Sequence, residues 1–191
     1  GLYSITFNND VELDSRTLAA YKSFRLEAER KGFRHFLEVF NPNAPRQPIP
    51  PDQLGGFVND NIVRALAGVP ESGRPLFLKM VYQGPRYTEE LAQYDLLLPV
   101  GVLGGAAGTT YDAFKLIAEA QKHGARVALF GRKINNAEDP LAFIQMLRRI
   151  VDGEISPEEA VPAYHAGLQA RRIKPLRTLK ADMQQTDAAL R

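Results

Sequence analysis

Five short apolar runs, each followed by an amphipathic stretch, constrain this chain more than any other feature of its sequence. Leu2 to Phe7, Phe33 to Phe40, Pro75 to Tyr82, Leu96 to Leu103 and Ala125 to Phe130 read as strands. Helical spacing links them, from Asp14 or Ser15 to Gly32, from Asp52 to near Gly68, over Thr88 to Gln93, and over Tyr111 to Lys122. Asp139-Pro140 opens a further helix. The capping box Ser156-Pro157-Glu158-Glu159 opens a last one through Leu168. The order is therefore βαβαβαβαβαα, and we expect residues 1–191 to form one α/β domain, with 154–191 a C-terminal helical extension ending in a basic tail. Runs such as Leu96-Leu97-Leu98-Pro99-Val100 are apolar on both faces, as a parallel sheet covered by helices requires. Strict alternation fits a doubly wound open sheet or a (β/α) barrel. Five strands suffice for the first and fall short of the eight strands and ~250 residues of the second. Periodicity alone favours the open sheet.

Composition excludes several chemistries. With no cysteine, disulfides, thiolate catalysis and Cys-based metal sites are ruled out. His35, His123 and His165 are scattered without metal-ligand spacing, so no metal site is expected. The 24 basic residues nearly balance 22 acidic ones, which makes nucleic acid a poor partner. The tail after His165 is a local exception, and its Arg171, Arg172, Lys174, Arg177 and Lys180 read as a solvated surface. No apolar run approaches the ~20 residues of a membrane span, and the start shows no basic leader or cleavage pattern. A cytoplasmic protein without membrane contact is expected. The chain begins with Gly1 rather than Met, and the expectation is a processed product or part of a longer chain.

Four features bear on chemistry. Lys79 interrupts the apolar strand Leu76-Phe77-Leu78-Lys79-Met80-Val81-Tyr82. An inward ammonium there must be paired, neutralised or exposed in a ligand cavity. As a free amine it condenses with carbonyls to give a Schiff base; otherwise it snorkels to solvent or pairs with a carboxylate. Glu38 alternates between Leu37 and Val39, so it points into the same interior as an inward Lys79. It reads as a proton shuttle or as one half of a buried ion pair. A direct pair favours the ammonium and opposes nucleophilicity. The glycine-rich turn from Gly101 to Asp112 runs from strand to helix, where exposed amides and the helix dipole favour an anion. It is neither a P-loop nor a GxGxxG fingerprint. Gly131-Arg132 closes the next strand, with a glycine for close approach and a guanidinium fork for phosphate.

The ordered set resembles the Schiff-base (class I) aldolases of the deoxyribose-phosphate aldolase superfamily, and within it the archaeal-type fructose-bisphosphate aldolases, over roughly residues 75 to 150. Lys79-Met80-Val81-Tyr82-Gln83-Gly84-Pro85 resembles the family's strand-six lysine and following turn, Gly104-Gly105 its loop after strand seven, and Gly131-Arg132 its motif after strand eight. The resemblance implies a TIM-barrel fold and a Schiff-base role for Lys79. It also implies phosphate binding by Gly104, Gly105, Gly131 and Arg132, with no metal or organic cofactor required. Two features depart from the family. Glu38-Val39-Phe40 stands where these enzymes carry a strand-five tyrosine, leaving Glu38 as the acid/base candidate. Counterparts of strands one to three are absent, so the expected fold is a (β/α)8 barrel lacking its first three βα units, with the doubly wound sheet as the alternative. The implied activity is reversible aldol cleavage of a phosphorylated sugar or keto compound. The alternative is a catalytically inactive, phosphometabolite-binding barrel. Unpaired edge strands imply a homo-oligomer or a part of a longer chain.

Overall fold

Each apolar run pairs with the next. In a computed structural model, describing residues 1–105 and 108–190, β1 (Leu2–Thr6), β2 (Phe36–Phe40), β3 (Leu78–Met80), β4 (Val100–Leu103) and β5 (Val127–Leu129) form one sheet. Its order is β1-β2-β3-β4-β5 and every neighbouring pair is parallel. A doubly wound sheet reverses direction at a switch point, so the sequential order removes that alternative and leaves a barrel-type progression. Right-handed crossovers between successive strands carry every connecting helix to the same face.

Burial follows that geometry. Ile5, Leu37, Val39, Leu78, Met80 and Val100 share one buried cluster with residues of α1 (Val11–Arg30), α2 (Leu54–Leu66) and α3 (Pro85–Tyr94). Val102 joins a second cluster with Phe114 of α4 (Thr110–Lys122), Phe143 of α6 (Pro140–Val151) and Tyr164 of α7 (Pro157–Ala170). There the Phe143 and Tyr164 rings meet edge-on, with centroids 5.6 Å apart. The alternate strand positions look away from the helices. Two short helices, α5 (Gly131–Asn135) and α8 (Leu179–Asp182), lie outside the sequence reading.

Several boundaries differ, for local reasons. The cap of α1 is Asp10, whose carboxylate accepts from the Glu12 and Leu13 amides. Asp14 instead accepts from Asn8 and Asp10. α2 opens at Leu54 rather than Asp52, because Gln53 closes a turn on the Pro50 carbonyl. β4 is shorter than its apolar run. Asp95 accepts from the Leu97 amide and its carbonyl from Leu98, so residues 95–98 form a turn that exposes Leu96 (86%) and Leu97 (81%). The double-sided apolar pattern there marks a turn ahead of the strand. Only the C-terminal half pairs.

Candidate active site

Sheet register assembles the first group. Ser4, Glu38, Lys79, Gly101 and Val127 are successive partners across the five strands, one row on the face away from the helices. Lys79 Nζ lies 2.6 Å from Glu38 Oε1. Ser4 Oγ donates to the other carboxylate oxygen at 2.6 Å. The Glu38 side chain is 6% exposed and that of Lys79 20%, so the carboxylate sits deep while the ammonium keeps an opening to solvent. The direct ion pair, one of the two readings the sequence leaves open, is the arrangement found. At Gly101 a Cβ would come within 2.3 Å of the Leu78 carbonyl oxygen, so the strand carrying Lys79 and its neighbour approach closely only with glycine there. Tyr82, three residues beyond Lys79, does not stand in for the family tyrosine. It faces the helices beside Phe114, its buried hydroxyl has no partner, and burial, aided by Glu119 and Glu89, pushes its phenol up to about 12.

The second group lies at the carboxyl ends of β4 and β5, some 10 Å along the strand from the Lys79 row, since Gly104 is three residues past Gly101. Gly104 is obligatory: a Cβ there would fall 1.7 Å from the Phe130 ring, and its amide donates to the Leu129 carbonyl. Gly105 adopts a φ of +68°. Ala106 and Ala107 of the same turn lie outside the described residues. A cavity of about 280 Å³ opens here, lined by Gly105, Gly108, Arg132, Lys133 and Arg177 among others. Gly104 and Gly131 are not among its lining residues, and Gly131 starts the short helix α5. Lys133 Nζ donates to the Gly108 carbonyl at 2.6 Å, tying α5 to the turn. Burial and the nearby Arg177 hold its ammonium below the usual lysine range, against Asp182, Asp112 and Glu138.

One expectation for this turn is corrected. Three of the amides that open α4, those of Thr109, Thr110 and Asp112, are held by the chain's own side chains and are not presented to a ligand. Thr109 N donates to Asp112 and Asp112 N to the Thr109 hydroxyl, a closed capping box. Thr110 N donates to Asp182 of the C-terminal segment at 2.8 Å. Burial raises Asp182, but the donations from Thr110 and His165 outweigh it and hold the carboxyl below its usual range. The segment is further bound by Gln184 O, which accepts from the Thr109 hydroxyl at 2.7 Å, and by Thr186 N and Asp187 N, which donate to Asp112. The five basic residues of the tail are all exposed, as expected; Arg171 also pairs with Asp139, and Arg177 borders the cavity.

Ser4 beside Glu38, and Lys133 and Arg177 at the cavity, are positions the sequence did not single out as site residues. Ser4 becomes visible only once the register is known. Lys133 follows directly on the Gly-Arg pair, a signal that was present. Among the described residues, no three His, Asp or Glu side chains converge as metal ligands. The histidines lie apart from one another, His35 with Tyr21, His123 between Glu89 and Glu119, and His165 with Asp182. No helix among the described residues is long and apolar enough to cross a membrane.

Solved structures extend this picture. No family model matches the sequence, and no curated protein matches it. The fold is that of the aldolase TIM barrels. Three structures of fructose-1,6-bisphosphate aldolases, the first two archaeal, superpose on it with TM-scores of 0.61, 0.60 and 0.61, each at 18% identity. They cover 80%, 78% and 78% of this chain, which spans 57% of the length of each. In one, the catalytic Lys is covalently bound to the carbinolamine intermediate of the substrate, and another describes the Schiff-base-forming mechanism of that enzyme.

Proposed function

We propose that this chain is a class I aldolase-like lyase that cleaves a phosphorylated sugar or keto compound reversibly through a Schiff base on Lys79. The observation that carries the reading is the place of Lys79, in mid-sheet on the face free of helices and with an opening to solvent; its 2.6 Å pair with Glu38 must open before the amine can react. As the carbonyl compound enters and the pair opens, Glu38 is the group within reach to take the ammonium's proton. The amine then adds to the ketone carbon. Glu38 returns the proton to the carbinolamine oxygen, which leaves as water and gives the iminium. That cation receives the electron pair of the breaking carbon–carbon bond, while the alcohol proton of the departing aldehyde passes back to Glu38. Ser4 orients the carboxylate through its hydrogen bond. Gly104, Gly105, Gly131 and Arg132 belong to the phosphate end of the site, and holding the phosphate fixes the carbonyl against Lys79. The likeness to Schiff-base-forming aldolases supports this reading.

The five strands are read as strands four to eight of such a barrel, with a cytoplasmic location and a phosphorylated small molecule as partner. Residues 1–191 are taken as one domain with 154–191 as its extension, because Val161, Tyr164 and Leu168 of α7 pack in the cluster that holds Val102 of β4. The test is turnover: release of triose phosphate from ketose phosphates by the wild type and its loss in Lys79→Ala support the reading, and equal rates in both overturn it. A second reading, an inactive phosphometabolite-binding barrel, is favoured by Phe40, which brings no hydroxyl to the strand where the family carries its tyrosine. Phosphate-dependent thermal stabilisation without turnover supports it.

A further inference from the structure

The cavity beside the glycine-rich turn holds more positive charge than the fold uses. Arg132 and Lys133 enter it from α5 and Arg177 from the segment before α8. The ion pairs among the described residues include none of the three. The nearby acids are already engaged. Asp112 accepts the amides of Thr109, Thr186 and Asp187. Asp182 is held by Thr110 N and His165. Glu138 accepts from Leu176 N at 2.8 Å and the Tyr164 hydroxyl at 3.1 Å. Lys133 spends one of its three donors on the Gly108 carbonyl. Because three of α4's leading amides are capped from within, an anion here has side-chain cations as its partners rather than the helix terminus.

Resting on the aldolase-type reading, we infer that Arg177 is a specificity residue of the phosphate end, forming with Arg132 and Lys133 a three-cation cradle for a phosphate monoester dianion. A forked guanidinium offers paired donors to phosphate oxygens. Its position is fixed, since it immediately precedes Thr178, which caps α8, while Asp182 of that helix is bonded to Thr110. The C-terminal segment thereby makes the site select phosphorylated over unphosphorylated carbonyl compounds.

Binding of inorganic phosphate and of dihydroxyacetone phosphate, measured by calorimetry on the wild type, Arg177→Gln and Lys174→Gln, tests this. Arg177 is exposed at the cavity wall, so its substitution leaves the core intact. Arg177→Gln is expected to bind both ligands about tenfold or more weakly, the size of one lost charge-assisted contact, and Lys174→Gln to bind as the wild type. Borohydride trapping of unphosphorylated dihydroxyacetone is expected to be the same in Lys174→Gln as in the wild type. Phosphate binding that is absent in the wild type, unchanged in Arg177→Gln, or equally weakened in Lys174→Gln overturns the assignment. Phosphate binding lost in Arg177→Gln, in a protein that borohydride never traps, upholds the cradle and refutes only the Schiff-base chemistry.

Discussion

Lys79 and Glu38 face each other with unequal exposure, and that inequality has consequences for stability. Removing Lys79 leaves a carboxylate 5% exposed, with only the Ser4 hydroxyl as partner. Removing Glu38 leaves an ammonium that can turn toward solvent. Lys79→Met is therefore expected to cost about 3 kcal/mol, and Glu38→Gln clearly less, by urea denaturation at neutral pH. Equal losses, or the reverse order, would show that the pair is not held as described. The sequence placed both residues on one face through the period-two alternation of their strands. It could not bring them opposite each other, since register depends on how two distant strands align. Ser4 stayed unseen for the same reason, and so did Arg177: a basic side chain in a polar tail has no local pattern that distinguishes a cavity wall from open surface.

At the scale of elements, the strands and the succession of elements along the chain were legible because each apolar run is bounded by glycine, proline or a capping residue. The order of strands in the sheet was left open between a doubly wound sheet and a barrel. The ends of elements were less legible, since caps compete: Asp10 takes the role that Asp14 also fits by sequence. The β3–β4 pair and the α4–tail junction each yield an expectation. Gly101→Ala forces a methyl against the Leu78 carbonyl and is expected to destabilise by about 2 kcal/mol, read as a lowered denaturation midpoint; an unchanged midpoint would mean the strands are not this close. Asp182 has a folded-state pKa below its unfolded value near 3.8. Its contribution is therefore present above that value and lost as pH falls through the lower folded one. Asp182→Asn is expected to lower stability at pH 7 and to flatten its fall between pH 4 and pH 2. Parallel pH profiles for the two proteins would show that this carboxylate does not fasten the tail to α4.

Across the whole molecule, helices cover one face of a singly wound parallel sheet, while β1 and β5 each have one neighbour. Unpaired edges, one of them carrying the exposed Leu2, favour association, so light scattering at micromolar concentration is expected to give a mass above the 21.2 kDa of one chain. A monodisperse species of that mass would contradict it. Lys79 lies on the central strand, away from those edges. Its Schiff base is tested most directly by borohydride reduction in the presence of dihydroxyacetone phosphate, followed by mass spectrometry of the intact chain and its peptides. One stable adduct is expected in the wild type, mapping to Lys79 and absent from Lys79→Ala. No adduct in the wild type, or the same adduct in both proteins, would contradict it.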